Sequence, residues 1–386
     1  MEKIQKRFLT VFENFNQEHM FKDVGGIPYA LSKYCHYKTT VLYLNNQDVA
    51  SINGYDDYVN LVRLSLKEKN FLNTINIIWY LIKHGGEYDI VNFYHGLGKV
   101  LRISRILKIF HPRVKIYVKL DMDEERFRKV FNYQRHWASY IGYFFSQVCK
   151  SWAVDLFTVE SKIYTEKLKS LKRFHGKLKY LPNGFFSDLV MECENASKEK
   201  IILTVGRIGT YQKNNELLVN AIINIGEQKL SGWKVYLVGN ITDNFFKWLT
   251  EQQNQYSFLK DIIVLTGNIA NKQELYSVYA RASIFVLTSR WEGSPLVVPE
   301  AMHFACCPIL TDCCAAIHDY VDCNSGIIVR NNDLKLVVGA LENCLAEMER
   351  CIDIGENAKK RIDSTLDWNV VAHTLDNYFF SKGGLF

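Results

Sequence analysis

Apolar, β-rich runs alternate with amphipathic stretches along all 386 residues, which predicts an α/β protein built on parallel sheets. The length, with 48% of residues hydrophobic, suits two domains that each bury a core of their own. Charge divides the chain in the same way. Residues 1–182 hold 29 Lys/Arg against 17 Asp/Glu, and the remainder holds 18 against 24. Two doubly wound halves are therefore expected, 1–182 and 183–365, with Pro182, Asn183 and Gly184 supplying turn chemistry for the connection. Sheets of this kind bind ligands beyond the carboxyl ends of their strands, so a cleft between two such halves is the expected site.

The first strand is expected near residues 8–12, although Phe12-Glu13-Asn14-Phe15 blurs its end. Residues 27–34 read as a helix, with Pro28 placed at its start and the Gly25-Gly26 pair just before it. Short runs rich in Val, Ile, Tyr and Phe predict strands at 40–44, 90–94, 115–120 and 156–159, and residues 126–149 read as a helix. The second half repeats the rhythm. Strands are expected at 200–206, 233–239, 262–266 and 282–289, with helices at 216–225, at 274–282 and from Glu300 to Ala305. Asp367-Trp368-Asn369-Val370-Val371-Ala372, continued by Leu375 and Phe379, reads as a closing amphipathic helix at about 366–386.

The chemistry concentrates in Arg290-Trp291-Glu292-Gly293-Ser294-Pro295-Leu296-Val297-Val298-Pro299-Glu300. Two glutamates stand eight positions apart, on either side of a tight loop that joins a buried strand to a helix. Such a loop aims free backbone N–H groups at one point, where a phosphate or polar sugar can sit. A carboxylate on each side accepts hydrogen bonds from two sets of hydroxyls, such as those of a hexose and a ribose. This is a nucleotide-sugar signature.

The unit resembles the E-x7-E motif of the large retaining glycosyltransferase family four, of the bacterial polysaccharide type. Four further landmarks follow in that family's order: Asp23-Val24-Gly25-Gly26-Ile27-Pro28, Leu181-Pro182-Asn183-Gly184-Phe185, Val205-Gly206-Arg207 with Lys213-Asn214-Asn215-Glu216-Leu217-Leu218, and the Asp-Trp-Asn near the end. The resemblance implies the GT-B fold: two facing Rossmann-like domains, an acceptor-binding first half and a nucleotide-sugar-binding second half. The closing helix would cross back onto the first. It implies transfer of a sugar from a nucleoside-diphosphate donor to a saccharide or lipid-linked acceptor, with retention at the anomeric carbon. Arg207 and Lys213 would hold the diphosphate. Glu292 would meet the donor sugar, backed by Gly293, Ser294, Pro295 and Leu296, and Glu300 the ribose. Gly25 and Gly26 would approach a phosphate, main chain near Ile269 would meet the base, and His95 would orient a sugar hydroxyl. The sequence departs from family habit at Thr311-Asp312-Cys313-Cys314-Ala315-Ala316, where a Gly-Gly turn is common.

Asp121-Met122-Asp123 imitates the metal-holding Asp-X-Asp of the other glycosyltransferase fold, GT-A, but the Arg207/Lys213 pair already offers the needed positive charge. No cofactor and no metal are therefore expected, and Asp121 is a candidate for the acceptor pocket. Cys306-Cys307 and Cys313-Cys314 do not have zinc-ligand spacing and read as small core residues. Residues 99–115 mix Lys99, Arg102, Arg105, Lys108, Arg113 and Lys115 with apolar positions, which suits either an anionic membrane surface or an ordinary surface helix. No recognised motif links the basic half to nucleic acid. Without a signal-peptide core or a run of about twenty apolar residues, a cytoplasmic protein, peripheral to the membrane at most, is expected. Two alternatives stay open: a GT-B nucleotide-sugar 2-epimerase, and a non-catalytic glycosyltransferase-like subunit.

Overall fold

The structure, a computed structural model, describes residues 5–20, 22–51, 54–95, 97–122, 124–132, 151–187 and 197–380. The chain divides into two compact units, Met1–Gly184 with Trp368–Phe386, and Phe185–Asp367.

The first unit holds seven strands: β1 (Arg7–Val11), β2 (Lys38–Leu44), β3 (Val59–Leu64), β4 (Ile90–Tyr94), β5 (Lys115–Leu120), β6 (Leu156–Val159) and β7 (Leu178–Tyr180). They lie in the order β3-β2-β1-β4-β5-β6-β7, with every pair parallel. The chain thus builds outward from β1 in one direction and then from β4 in the other. Helices α1 (Asp23–Cys35), α2 (Asn70–His84), α3 (Leu97–Phe110), α4 (Glu124–Asn132) and α5 (Lys162–Lys169) connect them. The strand runs at 90–94, 115–120 and 156–159 match the observed elements end to end. They were legible because both faces are buried, which leaves no polar alternation to confuse the reading.

Three expectations change. The first helix begins at Asp23 and not at residue 27, so Gly25 and Gly26 lie inside it and Pro28 is its sixth residue. A Cβ on Gly25 would fall 2.4 Å from the Met20 carbonyl oxygen, and one on Gly26 would fall 2.5 Å from the Trp368 ring. The two glycines are needed for close packing. The segment 99–115 is not one amphipathic helix: α3 ends at Phe110 and Lys115 opens β5, where its Nζ donates to the Phe379 carbonyl. Lys99 pairs with Glu13, and Lys108 with Asp155 at 2.8 Å. The expected helix 126–149 starts at Glu124, and its part beyond residue 132 lies outside the described residues, as does Asp123.

The closing helix α14 (Trp368–Phe380) belongs to the first unit. Its Trp368 is 1% exposed and is gripped by Gly26 on one side and Gly184 on the other, where a Cβ would again fall 2.5 Å from the ring. Asp376 holds the helix further along, accepting from Lys6 at 2.6 Å.

The second unit holds β8 (Glu199–Val205), β9 (Lys234–Val238), β10 (Ile263–Gly267), β11 (Ala282–Leu287), β12 (Cys307–Thr311) and β13 (Ile327–Val329). Their order is β10-β9-β8-β11-β12-β13, again all parallel. The connecting helices are α6 (Asn215–Ile225), α7 (Asp243–Gln255), α8 (Leu259–Ile262), α9 (Lys272–Arg281), α10 (Val297–His303), α11 (Ile317–Tyr320), α12 (Leu334–Ala346) and α13 (Met348–Thr365). The pleat sends Ile201, Leu203 and Val205 of β8 into one core and Ile202 into the other, so the sheet is covered on both faces. Cys306, Cys307, Cys344 and Cys351 are buried in these cores, and the sulfurs of the last three lie within 4.8 Å of one another. Among the described residues no helix is long and apolar enough to cross a membrane.

Candidate functional site

In the second unit the chain reverses its direction of growth between β8 and β11, and the space beyond those two strand ends is where open α/β sheets take ligands. The sequence there is glycine-rich for a steric reason. Gly206 follows β8 with φ 153° and Gly239 follows β9 with φ 136°. A Cβ on Gly239 would fall 1.7 Å from the Gly206 carbonyl oxygen, so only glycine lets the two turns touch. The close approach leaves a pocket of about 280 Å³ lined by Val205, Gly206, Arg207, Lys213, Val238, Gly239, Asn240, Asn268, Ile269 and Leu275. Arg207, Lys213 and Ile269, three residues singled out in the sequence, therefore share one pocket.

Lys213 lies just before α6, whose N-cap Asn214 has the left-handed φ of 52°. Its ammonium is 2.6 Å from Glu292 Oε1, and the two side chains are only 14% and 10% exposed. Ser289 Oγ donates to the same oxygen at 2.7 Å, and Gln212 Nε2 to Oε2 at 3.2 Å. Arg207 Nη2 donates to Gln212 Oε1 at 2.7 Å, which closes a chain Arg207–Gln212–Glu292–Lys213 across the ends of β8 and β11. The arrangement fixes a carboxylate and two cations at one edge of the pocket. It can bind an anion with the cations while the carboxylate accepts from hydroxyls. Gln212 and Ser289 escaped the sequence reading. Gln212 had a signal, standing beside Lys213; an isolated serine at a strand end gives none.

Glu300 does not open its helix. It is the fourth residue of α10, which starts at Val297, with Pro299 in the first turn. Its carboxylate accepts from Lys272 Nζ at 2.7 Å and from Tyr279 OH at 3.3 Å. Nothing in the sequence ties Lys272 to a glutamate 28 residues away. In the intervening loop Ser294 Oγ lies 2.5 Å from Tyr320 OH, and Pro295 is buried. Glu292, Gly293, Ser294, Pro295, Leu296 and Glu300 are outside the pocket lining, and Glu292 is tied to it through Lys213.

The first unit places His95 and Asp121 at the ends of neighbouring strands β4 and β5, with Nδ1 3.9 Å from Oδ2. Burial lowers the pKa of His95, against the pull of Asp121. Behind them are two ionisable residues that the sequence reading passed over. Lys119 is 1% exposed and donates to the Leu181 carbonyl at 3.3 Å, and Glu160 is 2% exposed and accepts from the Met122 N–H at 2.7 Å. Burial pushes the Glu160 carboxyl up to about 8 despite Lys119. Lys119 sits inside an apolar strand and Glu160 directly follows one, so the strand patterns hid both.

The family model for glycosyl transferases group 1 matches residues 191–361. The matched residues fall within the second unit, Phe185–Asp367. The amylovoran biosynthesis glycosyltransferase AmsD of Erwinia amylovora is 34% identical over 119 residues, 31% of each chain. The chain thus spans about a third of that curated relative and, at 44%, under half of an uncharacterized glycosyltransferase of Haemophilus influenzae that is 24% identical over 165 residues. Solved structures match almost end to end. A glycosyltransferase from Rickettsia africae superposes with TM-score 0.71 at 15% identity, covering 97% of this chain and 98% of that one. Anabaena Alr3699/HepE in complex with UDP and glucose gives 0.66 at 13% identity, covering 97% and 99%. At these identities the likeness speaks for the fold alone, two parallel-sheet units of the GT-B kind.

Proposed function

We propose that the protein is a retaining glycosyltransferase that moves a sugar from a nucleoside-diphosphate donor to a saccharide-bearing acceptor in glycan assembly. The observation that carries this reading is the Arg207–Gln212–Glu292–Lys213 chain at the mouth of a glycine-lined pocket in the group 1 segment. A UDP-sugar is the first donor to consider, because a structure of like fold holds UDP and glucose.

In this mechanism the pocket takes the nucleotide, with its base toward the Asn268–Ile269 main chain. Gly206 lets the diphosphate approach the backbone, and Arg207 and Lys213 lie against its oxygens. Negative charge grows on those oxygens as the glycosidic bond breaks, so fixed cations stabilise the transition state more than the bound donor. Glu292 accepts from sugar hydroxyls and is held in place by Ser289, Gln212 and Lys213. Glu300 accepts from the ribose while Lys272 fixes its rotamer. The acceptor hydroxyl attacks from the leaving-group face, which retains configuration, and a donor phosphate oxygen takes its proton. Charge stabilisation by Arg207 and Lys213 makes a divalent metal unnecessary. His95 and Asp121 serve the sugar and acceptor side.

The test is to incubate the protein with UDP-, GDP- and ADP-sugars, with and without a bacterial lipid extract, and to measure nucleoside diphosphate release. Extract-dependent release, with a product of unchanged anomeric configuration by NMR, supports the proposal. Epimerised donor without any acceptor would replace it with the epimerase reading.

A further inference from the structure

Three cysteines from three different elements meet inside the second unit. Cys307 opens β12, Cys344 lies in the last turn of α12, and Cys351 lies in the first turn of α13. The two helices are joined through Glu347 alone, so Cys344 and Cys351 flank one tight corner. All three cysteines are buried, at 0%, 4% and 2% exposure, in the same apolar core as Ile309, Val337 and Leu341. Their sulfurs lie within 4.8 Å of one another, with Cys307 Sγ 3.9 Å from Cys344 Sγ. Among the described residues no other three His, Cys, Asp or Glu side chains converge in this way.

The spacing decides what the cluster can do. A disulfide needs its sulfurs about 2.0 Å apart, roughly half the distance seen. An ion bound to three thiolates at about 2.3 Å each holds the sulfurs about 3.8–4.0 Å apart. Cys307 and Cys344 stand at that separation already. The adjacent Cys306 gives the contrast: it is equally buried, but its thiol donates to the Tyr279 and Ala282 carbonyls at 3.2 Å and 3.3 Å. Cys344 instead accepts from Cys307 and Cys351, which holds its thiol below the ordinary range. A donor set of sulfur alone selects a soft ion over magnesium or calcium.

We propose that Cys307, Cys344 and Cys351 form a trigonal thiolate site for one thiophilic ion, Cu(I) or Zn(II), which ties β12 to the α12–α13 corner. Each thiol loses its proton to water as its sulfur–metal bond forms, and neither sulfur nor metal changes oxidation state. Three sulfurs satisfy Cu(I). Zn(II) needs a fourth ligand, and among the described residues no His, Cys, Asp or Glu supplies one, so Cu(I) is expected to bind more tightly. The tie fixes the start of α13, whose later residues hold the end of α10. Lys359 donates to the His303 carbonyl at 2.9 Å, and Asp363 lies 2.5 Å from His303 Nδ1. The ion therefore braces, through α13, the helix that carries Glu300. The site is separate from the nucleotide pocket and does not depend on the transferase reading.

The experiment titrates the full chain, kept reduced by a non-thiol reductant and free of oxygen, with Cu(I) and separately with Zn(II). Bound ion per chain is read by elemental analysis after a competing chelator has cleared exposed thiols such as Cys323. Cd(II) reports the zinc arm by its thiolate-to-metal absorption, and Cu(I) reports its own. One retained equivalent is expected, with the absorption band and a rise in melting temperature of about 5–10 °C at free ion about a hundred times Kd. Cys344→Ala and Cys351→Ala should each weaken binding by about a hundredfold or more, since losing a group behind a ligand already costs about 10–100-fold. Cys306→Ala should leave binding unchanged. Circular dichroism identifies the variants that fold, and either cysteine of the corner serves. No retained ion, unchanged affinity in both corner variants, or an equal loss in Cys306→Ala overturns the proposal. A disulfide between any two of the three in the freshly isolated chain does so as well. Tighter binding of Zn(II) than of Cu(I) overturns the trigonal assignment.

Discussion

Replacing Lys213 by Met separates what the Lys213–Glu292 pair does for the fold from what it does for the reaction. The two groups are 2.6 Å apart and nearly buried, and removing one partner of such a pair costs about 3–5 kcal/mol when nothing else satisfies the other. Glu292 keeps Ser289 at 2.7 Å and Gln212 at 3.2 Å, so a loss of about 2–3 kcal/mol is expected from denaturant unfolding. Glu292→Gln should cost a similar amount by stranding the ammonium. The double variant, with no charge left, should recover about 1–2 kcal/mol relative to the sum of the single losses. Turnover should behave otherwise. Lys213→Met removes a cation from the diphosphate and should lower kcat by about 10²–10³, and the double variant should not regain it. Single losses that simply add would refute the pair as a stabilising contact. Turnover restored in the double variant would show that Lys213 serves only to neutralise Glu292.

Three further outcomes follow from particular contacts. Glu160→Gln should leave stability unchanged near pH 5 and raise it relative to wild type toward pH 8. The buried carboxyl titrates at about 8 against an ordinary 4.5, so the folded wild type binds its proton more tightly and loses that advantage as pH rises between the two values. The gain should be on the order of a few kcal/mol, read as melting temperature against pH, and a flat difference would contradict it. Gly26→Ala forces a methyl within 2.5 Å of Trp368 and should cost about 1–3 kcal/mol; an unchanged melting curve would mean that α14 does not pack there. Glu300→Ala should weaken nucleoside diphosphate binding about tenfold or more, whereas Lys272→Ala should weaken it less, and equal effects in calorimetry would reassign Glu300 to a purely structural ion pair.

The fold was legible where burial is two-sided. β4, β6 and β11 are buried throughout and β5 is buried past Lys115; Val, Ile, Leu, Phe and Tyr dominate all four, and no helical pattern competes with them. Of the edge strands, β10 was expected, but the other three were passed over: β3 alternates polar and apolar residues, and β7 and β13 are three residues long. β12 was hidden by Pro308, which ordinarily argues against an inner strand. The start of α1 was misplaced because Gly25 and Gly26 were assigned to the segment before the helix, as a close approach to a phosphate. In fact the missing Cβ atoms make room for Met20 and Trp368, a long-range demand that local propensity does not contain. At the site the order of Arg207, Lys213, Glu292 and Glu300 along the chain was enough to single them out. Their partners Gln212, Ser289 and Lys272 were set by tertiary contact.

Calorimetric titration with UDP, GDP, ADP, TDP and CMP, in the presence of EDTA, tests the central claim most directly. The account predicts saturable binding of one nucleoside diphosphate to the wild-type chain without metal, UDP being tried first, and a loss of about tenfold or more in Arg207→Ala. Binding that needs a divalent metal, or that is equally tight in Arg207→Ala, would contradict it, as would no binding of any member.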